Sequence, residues 1–148
     1  MLIEALLATA RKRLITIRDG APLIEAAKLL SSIQKTSLVV VCKRDGRMAG
    51  VVTKADVVRE ISSCQGCSCT VPVSATMSRD VVACRPQDSL RDVWHLMQDR
   101  DLKQLPVIDH DSMPLGLLYA SDALQVLLNE AEFEDLQLRD YVMGVGYR

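Results

Sequence analysis

The pattern of apolar and polar residues predicts strands and amphipathic helices in a regular order. Residues 37–42 form a nearly continuous apolar run, which is typical of a strand buried on both faces. An Asp-Gly turn follows, and residues 48–52 return as the partner strand. Upstream, residues 14–17 predict a short strand, and residues 23–30 carry apolar side chains at helical spacing. We expect Thr53 to begin the next helix.

The chain then repeats this order of elements, and such a repeat takes precedence over other fold reasoning. Val40 corresponds to Val107 and Asp56 to Asp122, at offsets of 67 (107 − 40) and 66 (122 − 56), so one turn residue is expected to differ. A short helix at 3–8 precedes the first copy. The second copy is predicted to contain a helical turn at 73–77, a strand at 81–84, a capped helix from Ser89, strands at 104–109 and 114–118 and a helix at 121–128. A further helix at 130–141 and a loose tail at 144–148 are expected to follow.

Each copy is therefore a strand-helix-strand-strand-helix unit of roughly 55 residues, which is too small to bury a good core alone. We predict an α+β fold in which the two copies pack sheet to sheet about a pseudo-two-fold axis and leave two related clefts between them. The predicted boundaries are 1–62 for the first repeat, 63–72 for a Cys-rich linker, 73–129 for the second repeat and 130–148 for the C-terminal helix and tail.

Charge and composition exclude several classes of function. A net charge of −1 gives no electrostatic case for binding nucleic acid or an anionic membrane. Apolar runs reach about five residues, far short of a bilayer span, and the basic residues follow the apolar start, which is the wrong order for a secretory signal. The 148 residues contain no phosphate-loop, zinc-protease or nucleophile-elbow motif. We therefore expect a cytoplasmic binding module rather than an enzyme.

The two strand pairs resemble those of a known family. The strongest marks are Leu-Pro-Val-Ile-Asp at 105–109 and Leu-Gly-Leu-Leu at 115–118, followed by Asp122. The family pattern of Gly, two apolar residues, Thr or Ser, two residues and Asp is intact from Gly50 to Asp56. Over residues 3–128 the chain resembles a tandem CBS-domain pair, or Bateman module, and it is similar to small stand-alone bacterial CBS-domain proteins.

This resemblance implies a regulatory function without a catalytic cofactor. Such modules bind AMP, ATP, NAD(H) or S-adenosylmethionine in a cleft between the repeats, and a protein target reads the resulting change in packing. They often form homodimers. The resemblance also places Lys103 where the family often has a basic residue facing phosphates, with Lys35 near the corresponding point of the first copy, and it points to Thr16 and Ala83 as cleft lining.

Thr53 and Asp56 supply chemistry that suits a nucleotide. Thr53 lies at a predicted helix start, where free N–H groups and a hydroxyl suit phosphate, and Asp56 could accept hydrogen bonds from both ribose hydroxyls. The same Thr-x-x-Asp string is also an ordinary helix cap, and Ser121 has the same alternative interpretation. With apolar strand edges to enclose the adenine, the candidate ligand-binding residues are Thr16, Leu38, Val39, Thr53, Asp56, Ala83, Lys103, Gln104, Leu105, Pro106, Tyr119, Ser121 and Asp122.

Both copies depart from the family pattern. Tyr119 stands where Thr or Ser is expected, and its ring could stack on a base or fill the cleft. In the first copy Val39 replaces the proline of the Pro-Val step. At least one competent cleft is expected. The alternative function is a structural dimerisation module whose clefts are vestigial.

A cluster of cysteines is not explained by the resemblance. Cys64, Cys67 and Cys69 could ligate zinc or an iron–sulfur cluster if Cys84, Cys42 or another chain supplied a fourth ligand, and a redox pair is a second option. We favour a solvated linker that is rich in cysteine, with no metal site. The odd total of five cysteines fits a reducing compartment.

Overall fold

A computed structural model describes residues 1–32, 36–63 and 70–146, with side chains described as far as Leu138. The elements in chain order are a 3₁₀ turn at Ile3–Leu6, α1 at Leu7–Arg13, β1 at Thr16–Arg18, α2 at Leu23–Ser32, β2 at Leu38–Cys42, β3 at Met48–Thr53, α3 at Lys54–Ser63, α4 at Val73–Thr76, α5 at Leu90–Asp99, β4 at Gln104–Ile108, β5 at Pro114–Tyr119 and α6 at Ala120–Gly146.

The strands form two sheets whose antiparallel hairpins correspond residue by residue. In the first sheet β1 runs parallel to β2, which pairs antiparallel with β3, and in the second sheet β4 pairs antiparallel with β5. Val41 pairs with Gly50 and Val107 with Gly116, and the ladder shifts at the next residue of β2 and of β4 alike. The offset between the repeats is therefore 66 throughout both hairpins (107 − 41 and 116 − 50).

This register corrects the correspondence predicted from the sequence. Val41, not Val40, is the counterpart of Val107, and the two turns have the same length. Val40, not Val39, stands where the second repeat has Pro106. The prediction was wrong because three consecutive valines give no sequence signal for the strand register, whereas backbone hydrogen bonding fixes the pairing.

The strand predicted at 81–84 is reduced to a single parallel bridge between Cys84 and Val107. In the first repeat the Val40 N–H donates to the Ile15 carbonyl at 2.9 Å. Pro106 occupies the position of Val40 and has no N–H, so the second repeat lacks this bond. What remains is the Cys84 N–H donating to the Pro106 carbonyl at 3.0 Å and the Ile108 N–H donating to the Cys84 carbonyl at 2.9 Å.

The two repeats exchange their N-terminal helices. Ile3, Leu6 and Ala10 belong to the core of the second repeat, and Val73 belongs to the core of the first. The helix predicted at 3–8 continues to the end of α1, since Ala10 packs against β5 and the basic last turn is favourable at a helix C-terminus. Each hydrophobic core therefore draws on both halves of the chain.

A third apolar cluster lies between the two sheets and confirms the predicted sheet-to-sheet packing. It joins Leu38, Val40 and Val51 of the first repeat to Leu117 and Tyr119 of the second. Intervening residues of each strand point instead at the helices of their own repeat, as the alternation of side chains along a strand requires. The fold is α+β, with this inter-sheet layer at its centre.

The C-terminal helix is longer than predicted. α6 is continuous from Ala120 to Gly146, so neither the predicted break near residue 129 nor the loose start of the tail at Gly144 is observed. The segment before Gly144 contains no proline or glycine, and the Gln125 amide donates to Asn129 Oδ1 at 3.0 Å across one turn. Tyr147 and Arg148 lie outside the described residues. Among the described helices, none combines the length and apolarity needed to cross a bilayer.

Candidate ligand-binding cleft

A cleft opens where the first repeat meets the segment that precedes β4. Its cavity volume is about 310 Å³. The first repeat contributes the start of β2, the end of β3 and the first turn of α3, and the second repeat contributes the turn between α5 and β4. The lining residues are Ser37, Leu38, Thr53, Lys54, Ala55, Asp101, Leu102, Lys103 and Gln104.

Gln104 ties the two repeats together at the cleft. The Ser37 N–H donates to Gln104 Oε1 at 3.1 Å, and the Gln104 side chain is buried. The Ser37 carbonyl in turn accepts from the Lys54 N–H at 3.1 Å. These bonds hold the start of α3 close to the starts of β2 and β4, so the cleft has a defined wall in each repeat.

Thr53 and Asp56 form a reciprocal capping box at the start of α3. The Asp56 N–H donates to Thr53 Oγ1 at 3.1 Å, and the Thr53 N–H donates to Asp56 Oδ2 at 3.0 Å. The Ser78 hydroxyl donates to the same oxygen at 3.5 Å, and Arg59 pairs with Oδ1 at 3.3 Å. Asp56 is 4% exposed and does not line the cleft. The structure therefore contains the predicted helix cap, and Thr53 lines the cleft, while the ribose contact of Asp56 stays a prediction.

The walls of the cleft combine cationic and apolar groups. Lys54 and Lys103 are exposed and line it from opposite repeats, and Asp101 adds one carboxylate. The start of α3 contributes the partial positive charge of a helix N-terminus. Leu38 and Leu102 provide apolar surface. This arrangement suits a ligand with an anionic group and a flat apolar portion.

Several predicted residues lie elsewhere. Val39 and Leu105 are buried in the helix-facing cores, because the alternation along β2 and β4 turns them away from the inter-repeat layer. Pro106 is buried and its carbonyl bonds to Cys84. Thr16 is exposed on β1, and Ala83 precedes the single bridge. None of these five residues lines the described cleft, and their assignment as ligand-binding residues stays a prediction.

The sequence prediction also missed residues that line the cleft. Ser37, Lys54 and Ala55 are direct chain neighbours of predicted residues, and Asp101 and Leu102 immediately precede Lys103. Their position next to predicted residues in the sequence could have indicated that they line the cleft. By contrast, no local signal connects Arg13 with Asp122, which contact each other across 109 residues of chain.

At the equivalent place in the second repeat, Tyr119 occupies the position of Thr53. Its hydroxyl lies 2.7 Å from Thr36 Oγ1, and the guanidinium carbon of Arg13 lies 4.4 Å from its ring centroid. Arg13 also forms a bidentate pair with Asp122, at 3.1 and 3.2 Å. Ser121 is exposed inside the first turn of α6 rather than at its cap.

The cysteines give no metal site in the described residues. Cys64, Cys67 and Cys69 lie outside them, as does Lys35. Within the described part of the chain, no group of three potential metal ligands occurs. Burial raises the pKa of the Cys84 thiol to about 12, with Asp88 adding to the rise, which disfavours the thiolate form.

Comparison with known proteins identifies the family. Residues 4–63 and 73–129 match the family model of the CBS domain. The chain belongs to the CBS-domain family. The predicted tandem CBS pair is thereby confirmed, and the two hairpins described above are the strand pairs of the two CBS repeats.

Relatives and solved structures agree with this assignment. The chain is 27% identical to the CBS domain-containing protein YhcV of Bacillus subtilis, over 83% of this chain and 86% of YhcV. It is also 27% identical to a homoserine O-acetyltransferase of Methanohalophilus mahii over 78% of this chain, but it spans only 22% of that protein.

Two CBS structures share the fold. The CBS-domain containing protein ATU1752 from Agrobacterium tumefaciens superposes with a TM-score of 0.70 at 23% identity, covering 84% of this chain and 91% of that one. The CBS domain pair of protein MJ0100, in complex with 5′-methylthioadenosine and S-adenosyl-L-methionine, gives 0.71 at 18% identity, covering 88% and 98%.

Proposed function

We propose that this CBS pair is a regulatory module that binds an adenosine-containing ligand in the cleft between its repeats, with AMP as the first candidate. The observation that carries the proposal is the cleft itself, in which Lys54 and Lys103 face one cavity from different repeats. A ligand held by both repeats would change their relative packing. A protein target would read that change.

Size and charge rank the possible ligands. A cavity volume of about 310 Å³ is at the small end of the range for ligand pockets, which favours a mononucleotide over the dinucleotide NAD(H). Two ammonium groups and a helix N-terminus favour phosphate over the cationic sulfonium of S-adenosylmethionine. Related folds support an adenosine moiety, since one neighbour is in complex with S-adenosyl-L-methionine and the cytosolic domain of the Mg²⁺ channel MgtE is in complex with ATP.

In this proposal the adenine lies between Leu38 and Leu102, and the phosphate lies near Lys54, Lys103 and the Thr53 hydroxyl. No catalytic cofactor takes part, and the activity of the acetyltransferase relatives is not transferred, because the chain spans a fifth of their length. Homodimerisation and cytoplasmic localisation stay predictions from the sequence.

Isothermal titration calorimetry with AMP, ATP, NADH and S-adenosylmethionine tests the proposal. AMP and ATP should bind the wild-type protein, and Lys54→Ala and Lys103→Ala should each weaken AMP by about tenfold, because each removes one charge-assisted contact. Lys43→Ala is the matched control, since Lys43 is an exposed lysine in the β2–β3 turn, outside the cleft.

A steric variant sharpens the test. Ala55→Trp places a large ring at the exposed first turn of α3, where Ala55 lines the cleft, and it should abolish AMP binding while the protein stays folded. The proposal fails if protein freed of carried-over ligand binds none of the four compounds. It also fails if Lys43→Ala weakens AMP as much as the two cleft variants do.

A structural dimerisation module is the second candidate. It is favoured by the carboxylates of Asp56 and Asp122, which are both engaged in contacts within the protein. This candidate predicts a dimer of constant size by analytical ultracentrifugation with or without nucleotide, and no binding heat. A metal or redox sensor based on Cys64, Cys67 and Cys69 stays a prediction, because these residues lie outside the described structure.

A further inference from the structure

The two repeats offer equivalent walls to two clefts, but the residues at those walls differ. From the strand register, Tyr119 is the counterpart of Thr53. The same offset of 66 makes Leu102 the counterpart of Thr36. In the open cleft Thr53 and Leu102 line the cavity from opposite repeats. The matching gap in the second cleft therefore lies between Tyr119 and Thr36.

That second gap is filled by a side chain. Tyr119 is 6% exposed, and its ring belongs to the apolar cluster between the sheets. Its hydroxyl reaches the buried Thr36 Oγ1 at 2.7 Å, so one phenol spans from the end of β5 to the segment before β2. A threonine at this place, as in the first repeat, is too short to make that bridge.

The two lysines of the open cleft have uncharged counterparts. Lys54 corresponds to Ala120 and Lys103 corresponds to Ser37, again at the offset of 66, and Ser37 itself lines the open cleft. Arg13 lies over the Tyr119 ring, and two of its three guanidinium nitrogens, Nε and Nη2, donate to the Asp122 carboxylate. Asp122, the counterpart of Asp56, is therefore engaged by Arg13. The same ion pair holds the Arg13 guanidinium over the Tyr119 ring.

We infer that Tyr119 plugs the second cleft, so that the module takes one nucleotide per chain rather than two. The inference rests on the proposed function and adds the residue that sets its stoichiometry. Arg13 is a positioning residue in this arrangement, because it acts through the Tyr119 ring and Asp122. The CBS pair then has one cleft that binds ligand and a second cleft that Tyr119 keeps closed.

Calorimetric stoichiometry with AMP tests the inference. The wild-type protein should bind one AMP per chain. The double variant Tyr119→Thr/Ala120→Lys rebuilds the chemistry of the open cleft and should gain one further equivalent. Tyr119→Phe is the control, since it keeps the ring and loses only the bond to Thr36, and its stoichiometry should equal that of the wild type.

Site assignment and folding are checked separately. Adding Lys54→Ala to the double variant should weaken one equivalent by about tenfold and leave the added one unchanged. If circular dichroism shows that Tyr119→Thr does not fold, Tyr119→Val/Ala120→Lys keeps an apolar β-branched side chain in the inter-sheet cluster and replaces it in the test.

The outcomes separate this inference from the proposed function. Two equivalents in the wild type would overturn the plug and leave the proposed function standing. No AMP binding by the wild type would count against the proposed function, and the plug would then be judged by whether the folded double variant gains an equivalent. A folded double variant with no added equivalent overturns the plug in either case.

Discussion

Thr53 and Asp56 show how a short polar string can serve two purposes. Each contributes a side-chain oxygen that accepts from the other's backbone N–H, so two donors that the helix cannot satisfy are paired. Because the Asp56 carboxylate is buried, its bond to the Thr53 N–H is shielded from water. At this residue pair the structure contains the helix cap, and the ribose contact of Asp56 stays a prediction.

Asp56→Ala should therefore destabilise the protein in the absence of any ligand. The substitution leaves the half-buried Thr53 N–H without its carboxylate acceptor, and this loss should cost about 1–3 kcal/mol. Urea unfolding followed by circular dichroism measures the loss.

The matched control for Asp56→Ala is Asp92→Ala. Asp92 occupies the same third position of α5 but is exposed, so its loss removes a helix-dipole interaction of about 0.3–1 kcal/mol. Equal effects of the two substitutions would show that the Asp56 cap contributes nothing beyond the helix dipole.

At the scale of elements, one proline and two glycines shape the sheets. Pro106 removes a donor from β4 and leaves the second repeat with a single bridge where the first has β1. Gly50 and Gly116 occupy equivalent strand positions and admit the exchanged N-terminal segments, Gly50 against the Ser78 carbonyl and Gly116 against Ala10. The exchange thus depends on two places where a strand has no side chain.

Gly116→Ala should disturb the contact between β5 and α1. Its Cβ would lie 2.7 Å from Ala10 Cβ and 2.8 Å from the Ala10 carbonyl carbon. Backbone would have to move, at a cost of about 1–3 kcal/mol, and the midpoint of urea unfolding should fall accordingly.

Gly20→Ala serves as the control for Gly116→Ala, because nothing lies within 4 Å of its added Cβ. Restricting the unfolded chain there should leave stability unchanged or raise it by about 0.4–1 kcal/mol. A Gly116→Ala variant as stable as the wild type would contradict the close approach of α1.

At the scale of the molecule, the repeats are not independent units. The core of the second repeat is completed by Ile3, Leu6 and Ala10 from the start of the chain, and the core of the first by Val73. The Arg13–Asp122 pair then joins α1 to α6. Neither core is complete without residues from the other half, so we expect both repeats to unfold together.

Leu23→Ala should therefore shift the unfolding of both repeats. Leu23 is buried in the first core, and its truncation typically costs about 2–5 kcal/mol. Trp94, the single tryptophan, packs against the second core and reports on that repeat by fluorescence. The Trp94 transition in urea should move to lower concentration together with the circular dichroism transition.

Ile24→Ala is the neighbouring control, since Ile24 is exposed on the same helix, and its effect should be small. A Trp94 transition that stays in place while circular dichroism shows an earlier first step would demonstrate independent repeats.

Much of the architecture followed from sequence pattern. Apolar runs and the Asp-Gly turn located the hairpins, helical spacing located α2 and α5, and the tandem strings identified the family. The errors arose where local pattern is degenerate. Three consecutive valines hid a register shift of one residue, and nothing near residues 81–84 revealed that a proline more than twenty residues away would remove their ladder bond.

The candidate cleft was only partly predictable. Leu38, Thr53, Lys103 and Gln104 were predicted and line it, whereas Val39 and Leu105 lie one residue further along their strands and face the opposite side. A strand alternates its faces with every residue, so a correct segment still yields half of its side chains on the wrong face.

The sequence by itself determined that this chain has two copies of one unit, where most of their strands and helices lie, and which family they belong to, because these depend on local periodicity and short motifs. Only the tertiary structure showed which side chains meet between the repeats. Tyr119 meets Thr36 and Arg13 meets Asp122 across 83 and 109 residues of chain. Such contacts are set by how the repeats pack, and no local sequence pattern specifies contacts between residues so far apart in the chain.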